Sequence, residues 1–509
     1  MPNKKRKTDN HFKKVATKIP IALIFFVLVI LVVDLYTTKK VNQLASLGEF
    51  AAHLDERITT LMYNYAIPGV TIALIKGGEL VWSEAYGYAD LEKERRMTTD
   101  TYCRVESISK SVTAWGVMKL VEEGKIELDH PVTHYQKNWE FPASEFSTEK
   151  ITIRQLLSHQ SGMPLGTIGM RYAPTEEKPS LKESLAKNAV LHQAPGLSFS
   201  YSNTGFDLLE LVIEDVTGRD FAEYMEEEVL APLGMHHASF TWSEAFDPMV
   251  PLGYDLQGNP MPVYVYPEKA SGGLFASVAD IATFVTAGMP SFSQVGLNVI
   301  DAQYIDKLYQ PMVGIPGLYG FVFDSYGLGY FLEELPAGQK AVSHGGQGAG
   351  WMTHFHAVPE TGDGIVVLTN SQRSWPLIAY LLQDWAKWRG FSSVGMTKTI
   401  LGKKMLWGLI GMLLVSVILQ LWRLGQGMHS NRRHFALLSQ KVSPLQLAQI
   451  SLFLALVSGL WWSINQEYLF VSSVFPITAS WLGISVFLVA LVLLLSALFP
   501  PIEEKVKHC

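Results

Sequence analysis

Cysteine and charge are both scarce in this 509-residue chain. The only cysteines are Cys103 and Cys509, so no disulfide framework can substitute for a hydrophobic core. Charged residues make up 17% of the chain, against roughly 25% in soluble domains. The deficit is concentrated at the two ends, which signals membrane segments rather than an unusually apolar interior. A net charge of −6 without a basic stripe argues against nucleic acid as a partner. No Cys/His cluster has zinc spacing, and His-Glu-x-x-His is absent, so the sequence offers no zinc motif. There is no internal repeat and no long low-complexity linker.

Long apolar runs are present. Ile19–Val33 is interrupted only by Pro20, is extended by Leu35 and Tyr36, and follows a basic tail that includes Lys4, Lys5, Arg6, Lys7, Lys13, Lys14 and Lys18. Thr37-Thr38-Lys39-Lys40 offers no small-x-small cleavage site, so the run reads as a retained anchor rather than a signal peptide. Met405–Trp422, Leu447–Ile464 and Ile477–Phe499 each approach the ~20 residues needed to cross a bilayer. The first link between them carries Arg423, Arg432, Arg433 and Lys441, and the second carries only Glu467. The positive-inside rule therefore places the Arg-rich link in the cytoplasm, residues 37–404 outside, and Cys509 inside, across the membrane from Cys103. The expected layout is a tail and anchor over 1–36, an extracytoplasmic domain over 37–402 and three membrane helices over 403–509.

The central stretch has a mixed α/β pattern. Ile67–Ile75 and Leu80–Tyr86 read as strands joined by the hairpin signal Lys76-Gly77-Gly78-Glu79. A helix is predicted from Ser107 to Glu123, ended by Gly124, and another over Asn203–Thr217, ended by Gly218. Strands follow at Tyr326–Leu332, Gly350–Val358 and Ile365–Asn370, then a helix near Trp375–Trp388. Strands at both ends with helices between them predict one sheet assembled from both termini, with a helical region inserted.

Ser107-Ile108-Ser109-Lys110 is a Ser-x-x-Lys motif. On a helix it puts Ser107 and Lys110 on one face, where a buried lysine of lowered pKa can take the proton of a weakly nucleophilic hydroxyl. At a helix N-terminus the N–H of Ser107 can also hold an oxyanion. Ser147–Lys150 and Ser184–Lys187 have the same spacing but no buried helix behind them. Tyr201-Ser202-Asn203 is the only Tyr-x-Asn in the chain, and Asn203 could equally cap the helix it precedes. His344-Gly345-Gly346 approaches the strand near Gly350, and its glycines suit a substrate backbone lying on a strand edge. His354-x-His356 would share a strand face, as ordinary strand histidines do, with no third metal ligand evident. Trp351 could wall a pocket or belong to the core, and Cys103 reads as a small buried apolar group.

The ordered set Ser-x-x-Lys, Tyr-x-Asn and basic-Gly-Gly resembles the penicillin-recognising serine hydrolases: class C β-lactamases, D-Ala-D-Ala carboxypeptidases and related peptidases and esterases. Leu156–Gly162, Pro195–Asn203, Pro232–Met235 and Ser271–Leu274 extend the likeness over about residues 50–390. The resemblance implies an α/β (α+β) fold with a β-lactamase/DD-peptidase-like sheet, beside the transmembrane helices. It also implies an acyl-enzyme on Ser107, with Lys110 and Tyr201 as base and acid. Asn203 would bind the substrate amide, His344 would stand near the leaving group, and the N–H groups of Ser107 and Gln347 would form the oxyanion hole next to Gly345 and Gly346. The family's β-lactamases usually carry Lys-Thr/Ser-Gly where this chain has His344-Gly345-Gly346. A histidine, mostly neutral at pH 7, binds a carboxylate less well than lysine. The layout is also similar to membrane-anchored peptidases that remove an acylated D-amino acid from nonribosomal products, although those carry a cleaved signal in place of the anchor. A small peptide, amide or ester substrate at the outer face of the cytoplasmic membrane is the expected partner. A β-lactamase or esterase, or a slowly turning-over acylated sensor, are the alternatives.

Overall fold

The structure, a computed structural model, describes residues 41–43, 45–166, 170–246, 249–436, 442–466 and 470–502. The expected anchor at Ile19–Val33, Lys441, Glu467 and Cys509 lie outside the described residues. Two compact units are present, one spanning Val41–Thr399 and the other including the chain from Ile400 onward.

In the first unit, nine strands form one sheet: β1 (Gly69–Lys76), β2 (Glu79–Asp90), β3 (Arg95–Arg96), β4 (Val313–Gly314), β5 (Ser325–Tyr326), β6 (Phe331–Glu334), β7 (Lys340–Gly348), β8 (Trp351–Val358) and β9 (Asp363–Thr369). Their order is β3-β2-β1-β9-β8-β7-β6-β5-β4. The antiparallel pairing of β1 with β9, from Val70↔Thr369 to Ile75↔Gly364, closes the two ends of the unit on each other. The β1–β2 turn lies where the glycine pair predicts it. Gly77 and Gly78 have φ of 61° and 74°, the positive values a two-residue hairpin turn needs at both positions, and Lys76 pairs with Glu79.

The main helices of this unit are α1 (Leu47–Tyr65), α2 (Ile108–Glu122), α3 (Asn203–Thr217), α4 (Val278–Ala287) and α5 (Trp375–Arg389). α1 and α5 pack on one face of the sheet, and α2 and α4 on the other. Covered on both sides, β8 and β9 are buried throughout and β1 is buried up to Lys76, which explains why the sequence there runs apolar without alternating. α3 keeps its expected span: the Ser202 hydroxyl accepts from Gly205 N–H at 2.9 Å at its start, and Gly218 ends it at φ 71°. The N-cap is therefore Ser202, and Asn203 is the first helical residue.

One strand expectation is corrected. Tyr326–Leu332 is not a single strand but the hairpin of β5 and β6, paired Tyr326↔Phe331. The chain turns at Gly329, with φ 85°, and the Gly329 carbonyl accepts from the Ser111 hydroxyl of α2. That approach requires a glycine, because a Cβ there would lie 2.8 Å from Ala114 Cβ.

α2 crosses the core and is buried on nearly every side. Its polar residues are satisfied within the interior: Ser111 donates to Gly329 O at 2.6 Å and Thr113 to Ala270 O at 2.9 Å. Trp115, fully buried, donates to the Tyr330 hydroxyl at 2.9 Å. Trp351 and Cys103 are core residues as well, and burial pushes the Cys103 thiol up to about 12.

In the second unit, α6 (Lys398–His429) and α7 (Pro444–Ile464) contain the first two expected apolar runs, and α8 (Pro476–Leu498) covers the third except Phe499, which caps it. Among the described residues, three helices are long and apolar enough to cross a membrane, and α7 packs along α8.

Trp115→Ala is expected to lower the unfolding free energy by about 3–5 kcal/mol, from lost burial and the cavity left behind. Denaturant titration checks this, and a loss under about 1 kcal/mol would show that α2 is not the central packing element.

Candidate active site

The site is assembled at the start of α2. The chain enters from Arg104 through Glu106, whose φ of 52° is left-handed, an uncommon conformation for a residue with a side chain. Ser107 follows in the N-cap position of α2 at φ −65°. Serine at this position ordinarily caps the helix with its hydroxyl, but here it makes no capping bond. Its Oγ instead receives a hydrogen bond from Lys110 Nζ at 3.1 Å. The Ser107 N–H donates to no backbone carbonyl among the described residues.

Lys110 is fully buried. Besides Ser107, its amine reaches Asn203 Oδ1 at 2.7 Å and the Ser271 carbonyl at 2.6 Å. It also lies 5.1 Å from the centre of the Tyr201 ring. Burial brings its pKa down to about 7, while negative charge at Asp207 and Glu106 acts in the opposite direction. Near neutral pH the amine therefore exchanges between charged and neutral forms. In the neutral form two N–H groups can stay on Asn203 and Ser271 while the lone pair turns to the Ser107 hydroxyl.

Tyr201 precedes α3, and burial holds its phenol well above the usual range against a hydrogen bond with Ser107. Its ring packs on His159 at 4.2 Å between centroids. His159, itself left-handed at φ 57°, accepts the Ser202 N–H on Nδ1 at 3.1 Å and, on its carbonyl, the Ser200 N–H at 2.7 Å. It thus clamps both flanks of the tyrosine.

The third element is β7. β6 pairs with it only over Lys340–Ser343, whereas β8 pairs on through Gly348. From His344 onward its other edge carries no strand among the described residues, which is the side an extended ligand would pair with. Gly346 is required by the approach of this edge to the nucleophile turn. A Cβ there would lie 2.1 Å from Val105 O and 2.3 Å from Thr353 Oγ1. The Gln347 side chain accepts from Trp375 Nε1 at 3.3 Å, so that side chain is held by α5.

His344 faces the same space but does not present its ring to a ligand. It is fully buried, Nδ1–H donates to Gly345 O at 2.8 Å, and Nε2 is left to accept from the Tyr326 hydroxyl at 3.1 Å. Burial first, and then Lys110, bring its pKa down to about 3. Both ring nitrogens are therefore engaged, and the ring is neutral. His354 and His356 do share a strand face, with ring centroids 5.8 Å apart. Among the described residues, no group of three His, Cys, Asp or Glu is arranged to hold a metal ion.

The competing Ser-x-x-Lys matches do not form comparable pairs. Ser184 is buried against Glu268 while Lys187 is exposed, and Ser147 only precedes a single 3-10 turn. Three contributors carried no assigned role in the sequence reading: Glu106, His159 and the Ser271 carbonyl. The last two sit inside the phrases Leu156–Gly162 and Ser271–Leu274, which was their only signal.

The family model for Beta-lactamase matches residues 54–381. The chain belongs to the beta-lactamase family. It is 28% identical over 328 residues to Protein flp of Staphylococcus aureus (strain N315), a match covering 62% of each chain. It is 25% identical over 327 residues to Penicillin-binding protein 4 of Amycolatopsis lactamdurans, covering 63% of this chain and 85% of that one. The octameric penicillin-binding protein homologue of Pyrococcus abyssi superposes with a TM-score of 0.54 at 30% identity, over 66% of this chain and 78% of the other. The α/β sheet with its inserted helical region is thus that of a family of serine hydrolases.

Gly346→Ala should reduce activity by about 100-fold, since roughly 1 Å of displacement at the nucleophile turn is enough for that. Reaction rates with an activated ester or fluorophosphonate check this, and an unchanged rate would mean that β7 and the Ser107 turn are not held in register.

Proposed function

We propose that this protein is a membrane-bound serine hydrolase that forms an acyl-enzyme on Ser107. Its substrates would be amides of D-amino-acid-containing or cell-wall-type peptides outside the cytoplasmic membrane. The observation that carries this reading is the buried Lys110 amine, hydrogen-bonded at once to Ser107 Oγ, Asn203 Oδ1 and the Ser271 carbonyl. Such an amine is held in place and lowered toward neutrality by burial, which is what a base for a serine hydroxyl requires.

In this scheme neutral Lys110 takes the Ser107 proton as Oγ bonds to the carbonyl carbon. The backbone N–H groups of Ser107 and Gln347 receive the oxyanion, and Asn203 steadies the substrate amide. The C–N bond then breaks as the leaving amine takes the proton that Lys110 had gained, relayed through Tyr201, which burial keeps protonated, so Lys110 is neutral again. Water attacks the acyl ester with the same base, restoring the Ser107 hydroxyl. Gly345 and Gly346 leave the edge of β7 bare for an extended substrate. With His344 neutral, its ring brings no fixed positive charge to a substrate carboxylate where the family's β-lactamases usually carry lysine, which favours a peptidase, amidase or esterase over a dedicated β-lactamase. The Arg-rich link after α6 supports an outward-facing unit at 37–404, with α6, α7 and α8 as its membrane part.

Intact-mass measurement after exposure to a fluorophosphonate, and separately to a penicillin, tests the reading. One adduct is expected on the wild type and none on Ser107→Ala, and a folded wild type that takes up neither reagent would contradict it. The acylation rate should rise with pH to a midpoint at about 7 as Lys110 loses its proton. It should then stay level through mildly alkaline pH, because Tyr201 remains protonated. A rate independent of pH between about 5 and 9 would remove Lys110 as the base.

A further inference from the structure

Glu106 stands immediately before the nucleophile, and its role is not explained by the Ser-x-x-Lys motif. Its carboxylate is almost completely buried and fully engaged. Oε1 accepts from Arg104 Nε at 2.9 Å and from the Tyr264 hydroxyl at 2.8 Å, and Oε2 accepts from the Tyr266 hydroxyl at 2.9 Å. Arg104 is buried too and spends its other nitrogens on Tyr264 O at 2.7 Å and Gly272 O at 3.0 Å. Its guanidinium is enclosed by the Tyr264, Tyr266 and Phe275 rings, 4.4, 4.6 and 4.9 Å from its central carbon.

This cluster meets the reacting groups on three sides. Glu106 has its left-handed backbone directly before Ser107. Gly272, held by Arg104, follows Ser271, whose carbonyl holds Lys110. The Glu106 side chain also fills the space that two glycines of β7 leave open. A Cβ on Gly346 would lie 2.9 Å from Glu106 Cβ, and one on Gly348 would lie 2.2 Å from its Oε1. A left-handed non-glycine backbone is strained and persists only where its surroundings hold it. Glycine would adopt it freely. A glutamate here is therefore unfavourable for the turn itself, and its side chain must contribute something a glycine could not.

We propose that Glu106, held by Arg104, Tyr264 and Tyr266, is a positioning residue. It fixes the Ser107 hydroxyl, the Ser271 carbonyl and the open edge of β7 in one arrangement competent for acyl transfer. This inference rests on Ser107 being the nucleophile. Glu106 also acts on Lys110 by charge. The ionisable groups around that amine are Glu106, Asp207 of α3, Tyr201, His159 and His344 of β7. Asp207 is itself driven toward its neutral form by burial and Glu268. Removing the Glu106 charge should therefore lower the pKa of Lys110.

The test uses the full-length protein in detergent and the rate of fluorophosphonate acylation of wild type, Glu106→Gly, Glu106→Gln and the double variant Tyr264→Phe/Tyr266→Phe. Glu106→Gly relaxes the turn but leaves the buried Arg104 and two tyrosine hydroxyls without their acceptor, so it is expected to melt below the wild-type temperature while remaining folded at the assay temperature. It should nevertheless acylate about 100-fold more slowly, with the loss in the saturating rate rather than in the half-saturating concentration. Glu106→Gln, which keeps the shape, should recover much of that rate, with its pH midpoint moved below that of wild type. The tyrosine pair should slow acylation in the same direction as Glu106→Gly, and it decides the matter if Glu106→Gly does not fold. Acylation of Glu106→Gly or of the tyrosine pair at the wild-type rate, or an unmoved midpoint in Glu106→Gln, overturns the role of Glu106 while leaving Ser107 as nucleophile. No acylation of the wild type overturns both.

Discussion

The site depends on one amine being buried. Moving a lysine ammonium out of water is unfavourable unless it is hydrogen-bonded or gives up its proton, and Lys110 is placed so that both remedies are available. Ser107 Oγ, Asn203 Oδ1 and the Ser271 carbonyl surround Nζ at 3.1, 2.7 and 2.6 Å. Three separate stretches of chain must converge for those partners to exist: the start of α2, the start of α3 and the glycine-rich turn before Leu274. The same burial that destabilises the charge makes the amine a usable base at neutral pH, so the folding constraint and the chemical function have a common origin.

The sheet supplies the frame for that convergence. Pairing β1 with β9 brings the two ends of the unit together, and the helical region between them has to fold back over one face. α2 enters this layer with its N-terminus beside the bare edge of β7. Small residues allow the approach. Gly346 and Gly348 leave room for Glu106, and Gly329 lets the β5–β6 turn lie against α2. A larger residue at any of these points would push apart the elements that carry Ser107, Lys110 and the strand edge.

Much of this was legible in the chain, and the unread parts share a physical cause. Ser-x-x-Lys and Tyr-x-Asn could be read because each packs its chemistry into one turn, where spacing determines geometry. α3 was readable to its last residue because Gly218 marks its end. Tyr326–Leu332 was misread because its apolar run masks the turn at Gly329, which is fixed by a hydrogen bond from Ser111, far away in sequence. The engagement of the His344 ring by Tyr326 depends on that same hairpin. Glu106, His159 and the Ser271 carbonyl act through tertiary approach alone, so no local pattern assigns them a role.

The central claim is that Lys110 exchanges its proton near neutral pH. Its titration can be followed directly by NMR of the lysine ε-carbons, with Lys110→Arg assigning the resonance. The account predicts a midpoint at about 7. A midpoint near the ordinary lysine value of about 10.4 would leave Ser107 without a base and contradict it.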